Sequence, residues 1–185
     1  MQFEFLPWQS GIAELVEHRQ VDLVLHIDDG LFPSHFQLER LYREDWIRAV
    51  ARGSRFGERR SLTQYLAASH IVVSTYAGVQ TIPDKQLAAV GAKRSSCIRV
   101  PYFGVALQCL RGTELVLTLT SGMTSVVRRD RELRLVKAPR ELHPFHFLMA
   151  WHPRFDADPR HVWLREAMRS TTRALGKRPG QESSV

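Results

Sequence analysis

The stretch at residues 69–103, SHIVVSTYAGVQTIPDKQLAAVGAKRSSCIRVPYF, constrains the fold of this chain more than any other. Its β-branched run Ile71-Val72-Val73, bounded by turn-forming residues, predicts a buried strand. A polar loop follows, Ser74-Thr75-Tyr76-Ala77-Gly78. The next segment reads as a helix. Asp84 suits the N-cap, Leu87, Ala88 and Val90 supply an apolar face, and Gly91 suits the position just past the end. Residues 97–100 read as a second strand, stopped by Pro101-Tyr102-Phe103. A strand–helix–strand unit of this length allows a parallel crossover. In open parallel sheets, ligands bind outside the carboxyl ends of the strands. Those ends carry Ser74, Thr75 and Tyr76, then Pro101, Tyr102 and Phe103. Hydroxyls and aromatic faces suit a small, partly aromatic, anionic ligand. The same pattern also fits an ordinary crossover with polar loops.

The rest of the chain supplies similar parts. Phe3 and Phe5 lie in FEFLPW, a short strand candidate closed by Pro7. Ser10 is suited to cap a helix with the stripe Ile12, Leu15 and Val16. Residues 21–27 read as a buried strand, so the chain opens with a second strand–helix–strand unit. Residues 37–50 read as an extended strand or strand pair. Ser61-Leu62-Thr63-Gln64 has the capping-box pattern and predicts a short helix to Ala68. A helix over 104–111, a strand over 114–119, a short helix ending near Arg129, and strands over 133–136 and 145–151 follow. The last helix is capped by Asp158 with Pro159 at its first position, and Val162, Trp163, Ala167, Met168 and Leu175 form its apolar face. Alternating strands and helices make this an α/β protein. Two crossover units, joined by extended segments near 38–47 and 137–147, predict two Rossmann-like lobes with a cleft between them. The first lobe takes residues 1–44 and returns at 139–176, the second takes 45–138, and 177–185 is a polar, disordered tail.

Composition removes several classes. A hydrophobic content of 44% with 24% charged residues is that of a globular protein. No apolar run approaches the roughly 20 residues a membrane helix needs. The N-terminus lacks the pattern of a signal peptide, so cytoplasmic residence is expected. Cys97 and Cys109 lie in apolar-patterned segments and read as small buried hydrophobes rather than a disulfide or metal pair. The net charge of +7 raises nucleic-acid contact. However, the arginines are scattered, and groups such as Arg59-Arg60 and Arg128-Arg129-Asp130-Arg131 are short. No helix-turn-helix, zinc-finger or RNA-binding signature accompanies them.

Other candidate chemistry is thin. His143-x-x-His146 and His152 lack carboxylate or cysteine partners at ligand spacing, so no metal and no cofactor are expected. His70 reads as a structural histidine. Asp28-Asp29-Gly30 reads as a turn rather than a catalytic carboxylate pair. Thr120-Ser121-Gly122 does not match the G-x-S-x-G nucleophile elbow, and no phosphate-binding glycine loop follows a strand. Trp151 and Trp163 read as core anchors.

Three stretches, in order, resemble the effector-binding domain of LysR-type transcriptional regulators. Asp84-Lys85-Gln86-Leu87 with Gly91 and Arg94 is similar to D-x-x-L…G-x-x-R. Val100-Pro101-Tyr102-Phe103 with Thr113-Glu114-Leu115 is similar to V-P-x-F…T-D-L. Trp151-His152-Pro153-Arg154, Asp158-Pro159 and Trp163-Leu164-Arg165 are similar to W-H-x-R…D-P…W-L-R, a pattern of the subgroup answering small aromatic inducers. The match covers roughly residues 3 to 175.

The resemblance implies a type-II periplasmic-binding-protein fold and no enzymatic activity. It implies a small aromatic or carboxylate effector in the cleft, homodimerisation (a tetramer in a full regulator), and DNA contact only through an N-terminal helix-turn-helix that this sequence lacks. It also implies that the first strand and helix of the first lobe are missing, as in a fragment, a mis-started reading frame or a truncated product. The family's usual His-Pro after the first crossover is replaced at Ser54-Arg55-Phe56. Carried over by position, Ser74, Thr75, Tyr76, Pro101, Tyr102 and Phe103 face the cleft from the second lobe, and Leu6, Pro7, Asp28 and Phe32 from the first. Two alternatives stay open: an α/β enzyme using the same cleft, and a ligand-independent dimerisation fragment.

Overall fold

The structure, a computed structural model, describes residues 2–8, 10–30, 32–57, 60–74 and 80–176. Thr75, Tyr76 and the tail at 177–185 therefore lie outside the described residues. In chain order the elements are α1 (Ile12–Glu17), β1 (Val24–Ile27), β2 (Gln37–Glu44), β3 (Trp46–Ala51), α2 (Leu62–Ala67), β4 (Ser69–Val73), α3 (Ile82–Ala89), β5 (Ser95–Val100), α4 (Phe103–Leu110), β6 (Val116–Thr120), α5 (Thr124–Arg129), β7 (Leu133–Lys137), β8 (Phe145–Trp151) and α6 (Pro159–Gly176). They divide into two compact units: residues 1–44 with 145–185, and residues 45–144. The extended segment at 37–50 splits at Asp45 into β2 and β3, which join different sheets.

The second unit is built on a mixed five-stranded sheet in the order β5-β4-β6-β3-β7. β4 runs parallel to β5 and β6, whereas β3 is antiparallel to β6 and β7. The unit β4-α3-β5 is the parallel crossover expected from residues 69–103. Alternation along the strands feeds two cores. Ala49, Ile71 and Leu117 pack under α4 and α5 with Ala106, Leu110 and Val127. Val50 and Val116 turn the other way and meet Phe56, Tyr65 and Leu87 under α2 and α3.

The first unit carries a three-stranded antiparallel sheet in the order β1-β8-β2, with a register shift between Arg40 and Tyr42. Ile12 and Val16 of α1 pack on Val24, Phe36, Leu148 and Ala150. α6 is tied to β2 by Arg169, whose guanidinium donates to both Glu39 carboxylate oxygens.

Several local expectations are corrected. Residues 2–8 carry no strand, and Phe5 is 87% exposed. An alternating aromatic run becomes a strand only when a partner strand accepts its hydrogen bonds. Residues 21–27 yield only the four-residue β1, paired antiparallel with β8, and Leu25 is exposed. α1 starts from Gly11 at φ 76° with no side-chain cap, not from Ser10. α3 is capped by Thr81, and Asp84 sits three residues in, completing a reciprocal capping box. On that helix Pro83 and Leu87 are buried while Val90 is exposed. Cys97 is exposed on β5, which ends the sheet order, and Cys109 is half-buried.

α6 keeps its expected face only in part: Ala167 and Met168 are half-buried, and the Leu175 side chain lies outside the described residues. His161, Arg165 and Thr172 are buried, whereas Val162 and Trp163 are exposed. Polar groups can line the inside because each has a partner. Arg165 alone donates to the Phe155 and Asp156 carbonyls and lies over the Trp151 ring.

Candidate functional site

The carboxyl ends of β4 and β5 are held together by backbone. Val73 stands opposite Val100, and the Ser74 N–H donates to the Val100 carbonyl at 2.9 Å. Ser74 and Pro101 therefore open adjacent loops at one end of the sheet. Pro101 has no N–H to continue the strand ladder. Tyr102 then adopts extended dihedrals as the N-cap of α4, and no side chain caps that helix. The Tyr102 side chain makes no cap hydrogen bond, and the first turn of α4 carries the helix's partial positive charge. Phe103 packs toward the core, while Tyr102 is 64% exposed.

β6, parallel to β4, ends at Thr120 beside the same region. Ser121 N–H donates to the Asp45 carbonyl at 2.9 Å, and Asp45 N–H donates to Ser121 Oγ at 3.2 Å. Asp45 is the residue between β2 and β3, so this reciprocal pair clamps the point where the chain enters the second unit. Sequence reasoning weighed Ser121 only as a nucleophile. Its clamp role had no local signal, because Asp45 lies far away in the chain.

A buried polar network ties α2 and α3 to the sheet. Arg94, at the start of β5, donates to Asp84 Oδ1 at 2.7 Å, Thr81 Oγ1 at 2.9 Å and the Tyr65 hydroxyl at 3.2 Å. Tyr65 and Thr118 share a 2.7 Å hydroxyl contact. Burial works to raise the Asp84 carboxyl, but hydrogen bonds from Arg94 and Thr81 outweigh it and hold the group below the usual range. Arg48 is fully buried and donates to the Lys137 carbonyl, and burial draws its pKa down.

His70 is also fully buried, with Nε2 donating to the Tyr65 carbonyl at 2.7 Å and Nδ1 unpartnered. Burial, seconded by Arg94 and Arg48, pushes its pKa down to about 4 against that carbonyl. It is a neutral structural histidine. Among the described residues no cluster of His, Cys, Asp or Glu could hold a metal.

The other predicted residues belong to the first unit. Leu6 and Pro7 are exposed in the irregular segment before Trp8. Trp8 stacks on His26 at 3.6 Å and meets Phe32 edge-on. Phe32 also packs against Phe36. Asp28, just past β1, accepts from Arg40 at 2.7 Å, so its charge is already paired. The structure thus groups Ser74 with Pro101, Tyr102 and Phe103, and Leu6 and Pro7 with Phe32 through Trp8.

The third sequence motif is a knot inside the first unit. Trp151 Nε1 donates to Asp156, His152 Nδ1 accepts from the Arg154 N–H, and Asp158 accepts from the Arg160 and His161 N–H groups. Trp151 is a core residue as expected, but Trp163 is 54% exposed and stacks on Phe3.

A family model described as the LysR substrate binding domain matches residues 6–173. The chain belongs to that family. This LysR substrate-binding domain is 28% identical over 162 residues to the HTH-type transcriptional regulator LinR of Sphingobium indicum, covering 85% of the chain and 52% of LinR. The chain spans about half the length of the curated relatives it matches. Those relatives are transcriptional regulators, not enzymes.

Its fold matches a solved putative transcriptional regulator from Vibrio parahaemolyticus with TM-score 0.78 at 22% identity, over 94% of this chain and 80% of that one. It also matches the effector-binding domain of QuiR in complex with shikimate, with TM-score 0.67 at 11% identity, over 88% and 77% of the two chains. The fold is accordingly α/β of the type-II periplasmic-binding-protein kind. No helix among the described residues is long and apolar enough to cross a membrane.

Proposed function

We propose that this LysR substrate-binding domain senses a small aromatic or carboxylate effector for a transcriptional regulator. The observation that carries the reading is the family match across residues 6–173. The local geometry supports it. Ser74 and the exposed Tyr102 stand at the carboxyl ends of two parallel strands, beside the uncapped N-terminus of α4. Such an end offers N–H groups to a carboxylate and an aromatic face to its ring. The QuiR domain of the same fold holds shikimate, itself a small carboxylate.

In this reading Ser74, Thr75, Tyr76, Pro101, Tyr102 and Phe103 contact the effector from the second lobe, and Leu6, Pro7, Asp28 and Phe32 from the first. Asp28 contributes through its pair with Arg40. Binding favours one arrangement of the lobes and so biases a homodimer, and in a full-length regulator a tetramer, on cytoplasmic DNA. DNA contact belongs to a separate helix-turn-helix.

A thermal-shift scan against salicylate, benzoate and related acids tests the proposal. A ligand at about 100 times its dissociation constant adds roughly 2.7 kcal/mol. One acid raising a cooperative melt supports the reading. A cooperative melt that no aromatic or aliphatic carboxylate raises overturns it.

A further inference from the structure

We propose that the second unit carries a docking face for the phosphate backbone of duplex DNA, at the end of its sheet opposite Ser74 and Pro101. The charge of the chain is not shared between the units. Residues 45–144 hold sixteen Lys and Arg against seven Asp and Glu, a formal +9. The first unit holds ten against twelve, a formal −2, which accounts for the +7 of the whole chain. An excess confined to one part of a chain fits a polyanionic partner for that part. In sequence the arginines are scattered, but the fold gathers several of them.

One row of pairs crosses the whole sheet: Ser96 with His70, His70 with Val116, Val116 with Val50, and Val50 with Arg134. It marks the end at which β4, β5, β6 and β7 start and β3 stops. The turns here hold exposed Arg52 and Arg55 after β3, Lys93 before β5 and Arg111 before β6. Arg128, Arg129 and Arg131, all exposed, lie at the end of α5 and in the turn before β7. Hydrogen bonds tie these turns together. The Arg52 N–H donates to the Glu132 carbonyl at 2.7 Å, and its Nε donates to the Arg131 carbonyl at 2.7 Å. Arg111 pairs with Asp130 at 2.8 Å. Glu114 accepts from Ser54 Oγ at 3.1 Å and lies 3.8 Å from Arg55. With those two acids engaged, Arg52, Lys93, Arg128, Arg129 and Arg131 stand against Glu132 alone among the described residues of these turns. The chain enters the unit at the other end, where Asp45 meets Ser121.

Neighbouring strands lie about 4.8 Å apart, so the five-stranded order makes this face about 19 Å wide. Duplex DNA carries one negative charge per about 1.7 Å of axis, so a span of that width holds about eleven phosphate charges. Exposed arginines pair with phosphate oxygens without reading bases. A single strand would call for aromatic faces on which its bases stack. Among the described residues, the exposed aromatic of this unit is Tyr102, which follows the carboxyl end of β5. The occupant is therefore a duplex backbone, held independently of sequence. Operator reading stays with the separate helix-turn-helix, so this contact goes beyond the proposed function and does not rest on the effector.

Fluorescence anisotropy of a labelled mixed-sequence duplex, titrated with the whole chain over a series of salt concentrations, tests this. The expected result is saturable binding in the micromolar range at about 50 mM salt, weakening as salt rises with a log–log slope of about −0.9 per phosphate neutralised. The triple variant Arg128→Gln, Arg129→Gln, Arg131→Gln should bind at least tenfold more weakly, with a shallower slope. A control triple removes the same charge towards the other end of the sheet: Arg99→Gln, Lys137→Gln, Arg140→Gln. It should bind within about twofold of the parent. All six side chains are exposed, so both triples are expected to melt like the parent. No binding at about 50 mM salt overturns the face, because non-specific duplex binding persists at higher salt than that. Equal losses in the two triples overturn it as well, since net charge and not this face would then attract the duplex. Tighter binding of a single strand, or of poly-glutamate, than of the duplex overturns the choice of occupant. A chain that ignores the duplex yet melts higher with an aromatic acid loses this inference and keeps the proposed function.

Discussion

Arg94 Nε stands 2.7 Å from Asp84 Oδ1, with only 3% of the arginine side chain exposed. This pair ties the first turn of α3 to the start of β5 and closes the crossover at its base. Removing one partner of a buried pair strands the other charge, which costs about 3–5 kcal/mol. Arg94→Ala is expected to lower the urea-unfolding free energy by about 3 kcal/mol. Arg94→Lys should recover little, because an ammonium cannot reach Asp84, Thr81 and Tyr65 at once. Recovery to parental stability in the lysine variant would show that charge alone, not the fork, matters.

His70 sets a pH dependence. Its pKa is pushed down to about 4 in the folded state, against about 6.5 when unfolded. Between those values the unfolded state binds more protons, so stability rises with pH. The contribution is full above about pH 6.5 and is lost as pH falls toward 4, on the order of 3 kcal/mol in all. Asp84 adds a second slope, lower still. Its folded pKa is depressed, so its stabilisation is present above the unfolded carboxylate value and is lost as pH falls further. Urea melts from pH 7 to 4.5 read the first slope. His70→Leu should flatten it, and an unchanged slope in that variant would place the titrating group elsewhere.

Gly91 was legible from sequence and is testable by one methyl group. It adopts φ 68° just past α3, with nothing within 4 Å of where a Cβ would sit. The cost of Gly91→Ala is then purely conformational, about 1 kcal/mol, and Gly91→Asn should cost less. Denaturant midpoints of the two variants check the order. Alanine equal to glycine would mean the backbone relaxes out of the left-handed region.

The features readable from sequence were those whose cause is local. Ser61 accepts from the Gln64 N–H, Asp158 caps α6, and Gly112 follows α4 at φ 66°, each within a few residues of its signal. What failed depends on distant partners. FEFLPW has the pattern of a strand but no pairing strand among the described residues. β1 finds its neighbour more than a hundred residues later in β8, and antiparallel. α6 buries Arg165 and His161 only because the Phe155 and Asp22 carbonyls meet them. Thr81 displaced Asp84 as the cap of α3 because the aspartate reaches back from the third position, an arrangement the spacing T-x-x-D already contained.

The site divides the same way. Ser74 and Pro101 followed from strand ends and crossover logic. By contrast, the Asp45–Ser121 clamp draws on separate elements, and no window of sequence holds the two residues together.

Tyr102 separates binding from folding at the proposed effector site. Its side chain is 64% exposed, and no side-chain hydrogen bond caps α4 there. Tyr102→Ala should therefore leave stability within about 0.5 kcal/mol of the parent. If an acid's ring lies on that face, the same change should remove about 1 kcal/mol of binding, a several-fold rise in dissociation constant. Ser74→Ala should remove a similar amount if the hydroxyl donates to the carboxylate. The two variants meet different parts of the ligand, so they can be told apart by probe. Replacing benzoate with an aliphatic acid of equal charge should erase the penalty of Tyr102→Ala and keep that of Ser74→Ala. Identical penalties with both acids would remove the aromatic ring from Tyr102 while leaving the carboxylate at the strand ends.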